Sequence, residues 1–247
     1  VEDAEEEINK RFLEIDGQTA LDIWRMSRFK VPEIILADVK SDETLISIVR
    51  SSVEKRHPTL LSRLDPDRAE MIQSSLVLSD GGMKVGKSDS GRVLWVVPER
   101  YEPASDVRVA VVTAGTSDIP VAEEAAAVCA SMGATVQKHY DVGAAGIHRL
   151  YPHMRDILEF DPCSIVVCAG REGVLPTLVS GLSSLPVIGV PISVGYGYMG
   201  GGKSALASML QSCSPIAVVN IDAGAVAGVM AIKIGLSKPR NGGDSHG

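Results

Sequence analysis

The sequence predicts an α/β protein in which a doubly wound parallel sheet follows a smaller α+β amino-terminal domain. The first observation is an alternation that begins near Asp106. Apolar runs of strand length are followed by glycine-containing turns and segments of helix length, a pattern typical of parallel sheets. The second observation is the distribution of charge, because most charged side chains lie before residue 105. We therefore predict one domain over 1–104, a second over 105–240 and a flexible tail over 241–247.

The amino-terminal part contains both helical and strand patterns. Ser41 is a suitable N-cap for the helical pattern that follows it, and Pro66 suits the first turn of another helix. No group of catalytic residue types stands out in this part. The predicted helices cover 1–12, 42–56 and 66–74, the predicted strands cover 33–37 and 93–97, and a hairpin or mobile turn covers 79–91.

Five strands, each followed by a helix, are predicted in the second domain. Ligands of such sheets bind at the carboxyl ends of the strands, beside helix amino termini. Four strand ends carry loops with chemically interesting residues, AGTSD, YDVGAAGIHR, CAGREGVLP and NIDAG, and we expect these loops to build the site. The strands cover 108–113, 135–141, 164–169, 187–190 and 217–221, and the helices cover 119–132, a segment to about 160, a segment through 184, 204–212 and a segment to 236.

Composition and charge argue against several classes of protein. The net charge of −7 discourages nonspecific binding to nucleic acid, and no apolar run reaches the roughly 18 residues of a membrane span. We therefore expect a small-molecule ligand, with no nucleic-acid and no membrane partner. The four cysteines form no CxxC pair, so neither a zinc site nor a disulfide framework is indicated. We expect a cytoplasmic location, although a chain that begins at Val1 leaves open a removed organelle-targeting segment.

The turn after the strand at 108–113 is rich in hydroxyl groups. Thr113, Thr116 and Ser117 supply them, while Asp118 can cap the following helix. Free N–H groups at such a helix start bind phosphate or carboxylate. The alternative is a well-capped helix with no ligand.

A second candidate is the pair His148 and Arg149, which follows a Gly-Ala-Ala-Gly turn. From this position an imidazole and a guanidinium can face an anionic ligand together. The alternative is an exposed pair without a function.

Two glycine patterns overlap in the stretch GYGYMGGGKS. One is GxGxxG at Gly195, Gly197 and Gly200, and the other is GxxxxGKS over 197–204. Neither opens the predicted sheet, and the preceding strand ends near Val190, so both nucleotide fingerprints are disfavoured. A glycine loop that contacts phosphate in another frame remains an open alternative.

One cysteine differs from the others in its setting. Cys213 lies in Gln-Ser-Cys-Ser-Pro at a helix end, whereas the other three lie on predicted helical or strand faces and are interpreted as small core residues. A nucleophilic role for Cys213 requires a stabilised thiolate, and the sequence does not show what would stabilise it.

Taken together, the loops resemble a known family. TAGTSDIPVAEEAA, YDVGAAGIHRL, AGREGVLPTLVSGL, PVIGVPISVGYG, ASMLQSC and AVVNIDAG, in this order and spacing, are similar to the LarB family of nickel-pincer cofactor biosynthesis proteins. The likeness is close over 105–236 and looser over the first hundred residues. That family is similar in turn to the purine enzyme PurE, which handles carboxyaminoimidazole ribonucleotide and has a flavodoxin-like, three-layer fold. The purine pattern has a histidine where this chain has Val174, which disfavours the purine substrate.

The resemblance implies a carboxylase and hydrolase. Its substrates are nicotinic acid adenine dinucleotide (NaAD) and CO2, and its products are pyridinium-3,5-dicarboxylate mononucleotide and AMP. Cys213 matches the residue that adds to the pyridinium ring, and Glu172 matches the base that removes the ring proton. Mg²⁺ is expected for the phosphoanhydride hydrolysis, with Asp222 or Asp118 as contacts.

The resemblance also implies how the substrate is held and how the chains assemble. Since Cys213 ends a helix, we expect its thiol to serve the pocket of a neighbouring subunit, in a homo-oligomer that resembles the octamers of the purine relatives. Two residues depart from the family pattern, Lys203 in the glycine loop and Ala223 after Asp222. The implied binding residues are Thr113, Gly115, Thr116, Ser117, Asp118, Asp141, His148, Arg149, Gly170, Arg171, Gly195 and Gly197.

Two other functions remain open from the sequence. One is a carboxyaminoimidazole ribonucleotide mutase, which requires no thiol. The other is a non-catalytic nucleotide-binding or scaffold protein on the same fold, which would bind the dinucleotide without releasing AMP.

Overall fold

Two β-sheets of different topology form the framework of the protein, whose computed structural model describes residues 12–15, 19–22, 24–76, 82–194 and 198–237. The strands of the amino-terminal region end at Pro98, and those of the second sheet begin at Arg108. The boundary that we predict after residue 104 falls in the connection between them.

The amino-terminal region is a smaller α+β unit. Its described elements are β1 (Phe12–Ile15), β2 (Thr19–Asp22), α1 (Arg25–Phe29), β3 (Glu33–Leu36), α2 (Asp42–Glu54), β4 (Thr59–Ser62), α3 (Pro66–Ser74), β5 (Met83–Lys87) and β6 (Leu94–Pro98). Strands β1 and β2 form an antiparallel pair of their own. The other four form a sheet in the order β3-β4-β6-β5, in which only β3 and β4 run parallel.

The helix starts in this region agree with the capping signals. Helix α2 begins at Asp42, and the Ser41 hydroxyl accepts a hydrogen bond from the Thr44 N–H at 3.3 Å. Helix α3 has the predicted bounds, with Asp65 as its N-cap and Pro66 in its first turn. Local side chain to backbone bonds are sufficient to set both starts.

Other expectations for this region differ from the structure. The helix predicted over 1–12 is wrong at its last residue, because Phe12 begins β1; residues 1–11 lie outside the described residues. The hairpin expected at 79–91 is present but extends further, because β5 pairs antiparallel with β6, which ends at Pro98; residues 77–81 are not described. Strand β4 was not predicted. All four of its residues are buried, so it lacks the alternation that marks a half-exposed strand.

The second region contains a five-stranded sheet in which every neighbouring pair is parallel. Two strands and three helices of this region end earlier than predicted, and the last strand covers two residues. The elements are β7 (Arg108–Thr113), α4 (Ile119–Ser131), β8 (Thr135–His139), α5 (Leu150–Phe160), β9 (Ser164–Ala169), α6 (Leu175–Gly181), β10 (Val187–Pro191), α7 (Lys203–Leu210), β11 (Ala217–Val218) and α8 (Gly224–Ser237).

The strand order β8-β7-β9-β10-β11 is the doubly wound order of flavodoxin-like folds. Val109 and Val111 of β7 pack with residues of α4 and α8, whereas Ala110 and Val112 pack with residues of α5, α6 and α7. The sheet therefore has helices on both faces, which confirms the predicted fold class. No helix in the described ranges has both the length and the apolar character needed to cross a bilayer.

Helices α4 and α8 pack unusually closely because small residues line their contact. A Cβ atom added at Gly228 would lie 2.7 Å from the Ala125 carbonyl oxygen and 3.0 Å from Cβ of Val128. On the outer side of this helix pair, Val128 and Ala225 form a buried cluster with Leu60 of β4. The amino-terminal sheet is thus a further layer on α4 and α8.

Two histidines meet where β8 packs against α5. The Nδ1 atoms of His139 and His153 lie 3.1 Å apart, with the rings edge to face. His139 is buried, and burial together with the neighbouring His153 lowers its pKa, while Asp156 of α5 acts in the opposite direction. A hydrogen bond between the two Nδ1 atoms requires one ring to donate and the other to accept, so at least one ring must be neutral.

The close contact of α4 and α8 predicts that Gly228→Ala destabilises the protein. In a helix this change normally stabilises by up to about 1 kcal/mol, but here the added methyl group meets the α4 backbone, so we expect a loss of about 1–3 kcal/mol in the free energy of unfolding. Val226→Ala on the exposed side of α8 is the matched control and should stay within about 0.5 kcal/mol. Urea denaturation measures both. A stabilised Gly228→Ala variant would contradict the close packing.

The histidine pair predicts a loss of stability under mildly acidic conditions. The usual histidine pKa is 6.5, and the pKa of folded His139 is lower, so between these values the unfolded chain binds more protons than the folded chain. Stability is therefore complete above about pH 6.5 and decreases as the pH falls below it. His139→Gln should reduce this decrease in urea denaturation between pH 8 and pH 5. The same variant at pH 8 reports the loss of packing alone, and an unchanged slope would contradict the assignment.

Candidate functional site

A cavity of about 430 Å³ opens at the carboxyl ends of β7 and β9. These neighbouring strands connect to helices on opposite faces of the sheet, so the cavity lies at the topological switch point, where ligands of doubly wound sheets bind. Its volume is within the range of small-molecule sites. The wall residues are 114, 115, 117 and 118 after β7, 144 and 145 after β8, 169–175 after β9, and 194 after β10.

The first wall is the turn that joins β7 to α4. The buried Asp118 carboxylate accepts a hydrogen bond from the Gly115 N–H at 2.8 Å and one from the Ser117 hydroxyl at 3.4 Å. Burial raises the pKa of Asp118, and these bonds, with N–H groups of Gly170 and Ala114, partly oppose that shift. Asp118 therefore holds the turn in place, and the Gly115 and Ser117 side of the turn faces the cavity.

Two predicted residues of this wall lie outside the cavity lining. Thr113 is fully buried, and its hydroxyl accepts a hydrogen bond from the Asp141 N–H at 2.9 Å. It therefore joins the first loop to the second instead of facing a ligand. Thr116 is exposed next to the lining residue Ser117.

The second wall follows β8 and is built from small residues. Ala144 and Ala145 line the cavity. Arg149 turns back and donates a hydrogen bond to the Asp141 carbonyl, with its Nη2 atom 3.3 Å from the Asp141 carboxylate. The exposed His148, like Arg149 and Asp141, is not part of the cavity lining. Since both partners of the ion pair are half exposed, the pair contributes little to the free energy of unfolding. An anionic ligand could therefore take the place of the Asp141 carboxylate next to Arg149.

The third wall is the turn after β9, and it brings the charged side chains into the site. Arg171 and Glu172 line the cavity together with Val174. Arg171 has a positive φ of 44°, which tightens the turn. A side chain at Gly170 would lie 3.0 Å from the Val194 carbonyl oxygen and 3.4 Å from Oδ1 of Asp118, so glycine allows the first, third and fourth walls to meet.

The fourth wall depends on Asp222, which lies after β11. Asp222 has a positive φ of 55°, its N–H donates to the Pro191 carbonyl at 2.9 Å, and its carboxylate accepts from the Ser193 N–H at 2.8 Å. It thereby fixes the segment that carries Val194. Gly195 and Gly197, which we predicted to contact substrate, lie outside the described residues.

The residues considered for Mg²⁺ do not form a preformed cation site. Among the described residues no group of three or more His, Cys, Asp and Glu side chains is placed to hold a metal ion. Asp118 and Asp222 each already accept a hydrogen bond from a backbone N–H. A magnesium ion here would need substrate phosphates as its main ligands.

Cys213 is exposed, and it lies far from the cavity of its own chain. It falls between the end of α7 and the start of β11. Because the strands are parallel, this is the edge of the sheet opposite to the cavity. The adjacent Ser212 is held by a 2.8 Å hydrogen bond from Thr177. The other three cysteines are buried as predicted, and burial raises the pKa values of Cys129 and Cys168.

The site also contains residues that the sequence reasoning did not single out. Ala144, Ala145 and Val194 line the cavity without any charged or nucleophilic group. The small residues of the Gly-Ala-Ala-Gly turn were a usable signal, since they leave room for a ligand where longer side chains would fill the crevice.

Comparison with known proteins gives two family matches in this chain. Residues 108–241 match the AIR carboxylase family, and residues 13–78 match the LarB/PurE-like N-terminal domain. An uncharacterized protein of Methanocaldococcus jannaschii is 40% identical over 220 residues, which covers 88% of this chain and 84% of that protein.

Other relatives match about half of the chain. The N5-carboxyaminoimidazole ribonucleotide mutase of the same organism is 28% identical over 136 residues, or 54% of this chain and 82% of the mutase. The mutase of Mycobacterium tuberculosis is 31% identical over 140 residues, or 54% of this chain and 76% of the mutase.

Proposed function

Because the chain belongs to the AIR carboxylase family and carries a LarB/PurE-like N-terminal domain, we propose that it carboxylates and hydrolyses NaAD. The products are pyridinium-3,5-dicarboxylate mononucleotide and AMP, in the biosynthesis of a nickel-pincer cofactor. The observation that carries the proposal is the third wall. Glu172 lines the cavity, while Val174 occupies the position at which the purine pattern has histidine.

The cavity suits the nicotinate mononucleotide half of this substrate. Ser117 presents a hydroxyl at the start of α4, where N–H groups favour a phosphate. Arg171 adds a positive charge to the lining for the phosphate or the nicotinate carboxylate. The alanines of the second wall leave space for a flat ring.

The chemistry requires a nucleophile because a pyridinium ring is electron-poor and does not attack CO2. A thiolate that adds next to the ring nitrogen converts the ring into an enamine, and its C5 atom then forms a bond to CO2. Glu172 removes the proton from C5, the C–S bond breaks, and its electron pair returns to sulfur as aromaticity is restored. Hydrolysis of the phosphoanhydride consumes one water, and we assign no residue to that step.

We assign the thiolate to Cys213 of a second copy of the chain. Cys213 is the exposed cysteine among the four, and it lies at the sheet edge opposite to its own cavity. A homo-oligomer that joins these two edges would complete each site with a thiol from its neighbour, in agreement with the octamer that the resemblance implies.

The second candidate function is a carboxyaminoimidazole ribonucleotide mutase. Relatives with that name match about half of the chain at 28–31% identity. Val174 argues against it, since valine cannot transfer a proton. A non-catalytic nucleotide-binding protein is the third candidate, and it predicts binding without AMP release.

The direct test is incubation with NaAD and bicarbonate, followed by chromatography of the nucleotides and intact-mass measurement of the protein. We expect the unmodified protein to release AMP and to form the carboxylated mononucleotide, and we expect Cys213→Ser to lose at least about 1,000-fold in the rate of carboxylated product formation, equivalent to about 4 kcal/mol. Glu172→Gln should accumulate a mass adduct on Cys213, because the ring proton is not removed. Gln211→Ala, at an exposed neighbouring position, is the matched control and should remain active.

Each outcome separates the candidates. Full turnover of NaAD by Cys213→Ser would contradict the covalent step, and turnover of the purine ribonucleotide would favour the mutase. Binding of NaAD by the unmodified protein without AMP or adduct would favour the non-catalytic candidate.

The shared site predicts complementation between two inactive variants. Cys213→Ser chains retain Glu172, and Glu172→Gln chains retain Cys213, so a mixed oligomer contains some complete sites only if the two residues come from different chains. Random mixing in equal amounts should restore about one quarter of the activity. Each variant alone is the control. If unfolded and refolded mixtures stay inactive although mixed oligomers form, the shared site is wrong.

A further inference from the structure

The amino-terminal region reaches the site through one arginine. Arg63 follows β4, has a positive φ of 60°, and is partly buried. Its Nη2 atom donates to the Asp222 carbonyl at 3.4 Å, and its Nη1 atom lies 3.4 Å from the Asp38 carboxylate. The guanidinium thus joins its own region to the turn that starts α8.

This turn is directly connected to the cavity. Through its N–H and its carboxylate, Asp222 bonds to Pro191 and Ser193, and Val194 is the next residue and lines the cavity. The Val194 carbonyl in turn lies against Gly170 of the third wall. Arg63 is therefore linked to the fourth wall of the site by two hydrogen bonds, its own to the Asp222 carbonyl and that of the Ser193 N–H to the Asp222 carboxylate.

A buried carboxylate also interacts electrostatically with this arginine. Glu124 of α4 is 4% exposed, and burial raises its pKa, while the positive charges of Arg63 and Arg92 and the Ala225 N–H oppose that shift. An ionised Glu124 needs these positive charges nearby, because an unpaired buried charge is costly. Arg63 therefore lies between Asp38, which follows β3, and the Asp222 turn, in the field of Glu124 of α4.

We propose that Arg63 is a positioning residue for the substrate cavity, acting through Asp222 on the segment 191–194. The amino-terminal domain is then part of the support of the site and not an independent module. The proposal rests on the proposed function only for its activity readout, since the placement of 191–194 is measurable without turnover.

The test compares Arg63→Ala with Arg63→Lys and with Arg68→Ala. Arg68 is the matched control, because the bonds described for it go to Asp42, Ala37 and Lys40 within the amino-terminal region. The first readout is amide hydrogen exchange, by mass spectrometry, of peptides that cover 187–194. We expect about tenfold faster exchange in Arg63→Ala, the size expected for a lost charge-assisted bond, partial rescue in Arg63→Lys and no change in Arg68→Ala.

The second readout is the kinetics of AMP release. Loosening of a binding wall should raise KM for NaAD about tenfold and leave kcat within about twofold, whereas general unfolding would lower the active fraction and thus kcat. Asp222→Ala removes the Ser193 bond but keeps the Asp222 carbonyl and N–H, so in that background Arg63→Ala should have a smaller effect on both readouts than it has alone, because residues that share one bonded network are not additive.

Unchanged exchange over 187–194 in a folded Arg63→Ala variant would overturn the proposal, as would full additivity with Asp222→Ala. If Arg63→Ala does not fold, the comparison of Arg63→Lys with Asp222→Ala decides instead, since both should accelerate exchange in the same peptide. If the unmodified protein releases no AMP, the proposed function is wrong, while the exchange data still decide the role of Arg63.

Discussion

The structure depends on the change of winding direction between β7 and β9. These adjacent parallel strands connect to helices on opposite faces of the sheet, so no crossover covers their carboxyl ends and a crevice remains there. The loops that line the cavity surround this crevice. The same constraint places any residue just before a strand at the opposite edge, which is why Cys213 does not reach the cavity of its own chain.

Much of the second region was predictable because its strands are buried on both faces. Such strands appear as continuous apolar runs bounded by glycine and polar residues, and the bounds of β7 and β9 agree with the prediction. Side-chain caps marked the starts of α2 and α3, and prolines marked those of α3, α4 and α6. By contrast, β4 (TLLS) is buried but has only two apolar residues, and strands β1 and β2 are too short to give a clear pattern.

The site was predictable at the level of loops and less so at the level of side chains. Sequence patterns place the AGTSD and CAGREGVLP loops at one edge of the sheet, and Ser117, Asp118, Arg171 and Glu172 meet there. They do not show that the Thr113 hydroxyl bonds the Asp141 N–H or that Arg149 turns toward Asp141. Both arrangements depend on a residue with a positive φ at position 141, which only the assembled loop determines.

The bond between Arg63 and Asp222 joins residues that are 159 positions apart in the chain. Closing so long a loop has an entropic cost that must be met before the contact contributes anything, and contacts of large sequence separation slow folding. Each sheet can form first, because its contacts join residues that are closer together along the chain. We therefore expect the bond from Arg63 to form late in folding, so that the amino-terminal region begins to support the cavity wall only after the two sheets have docked.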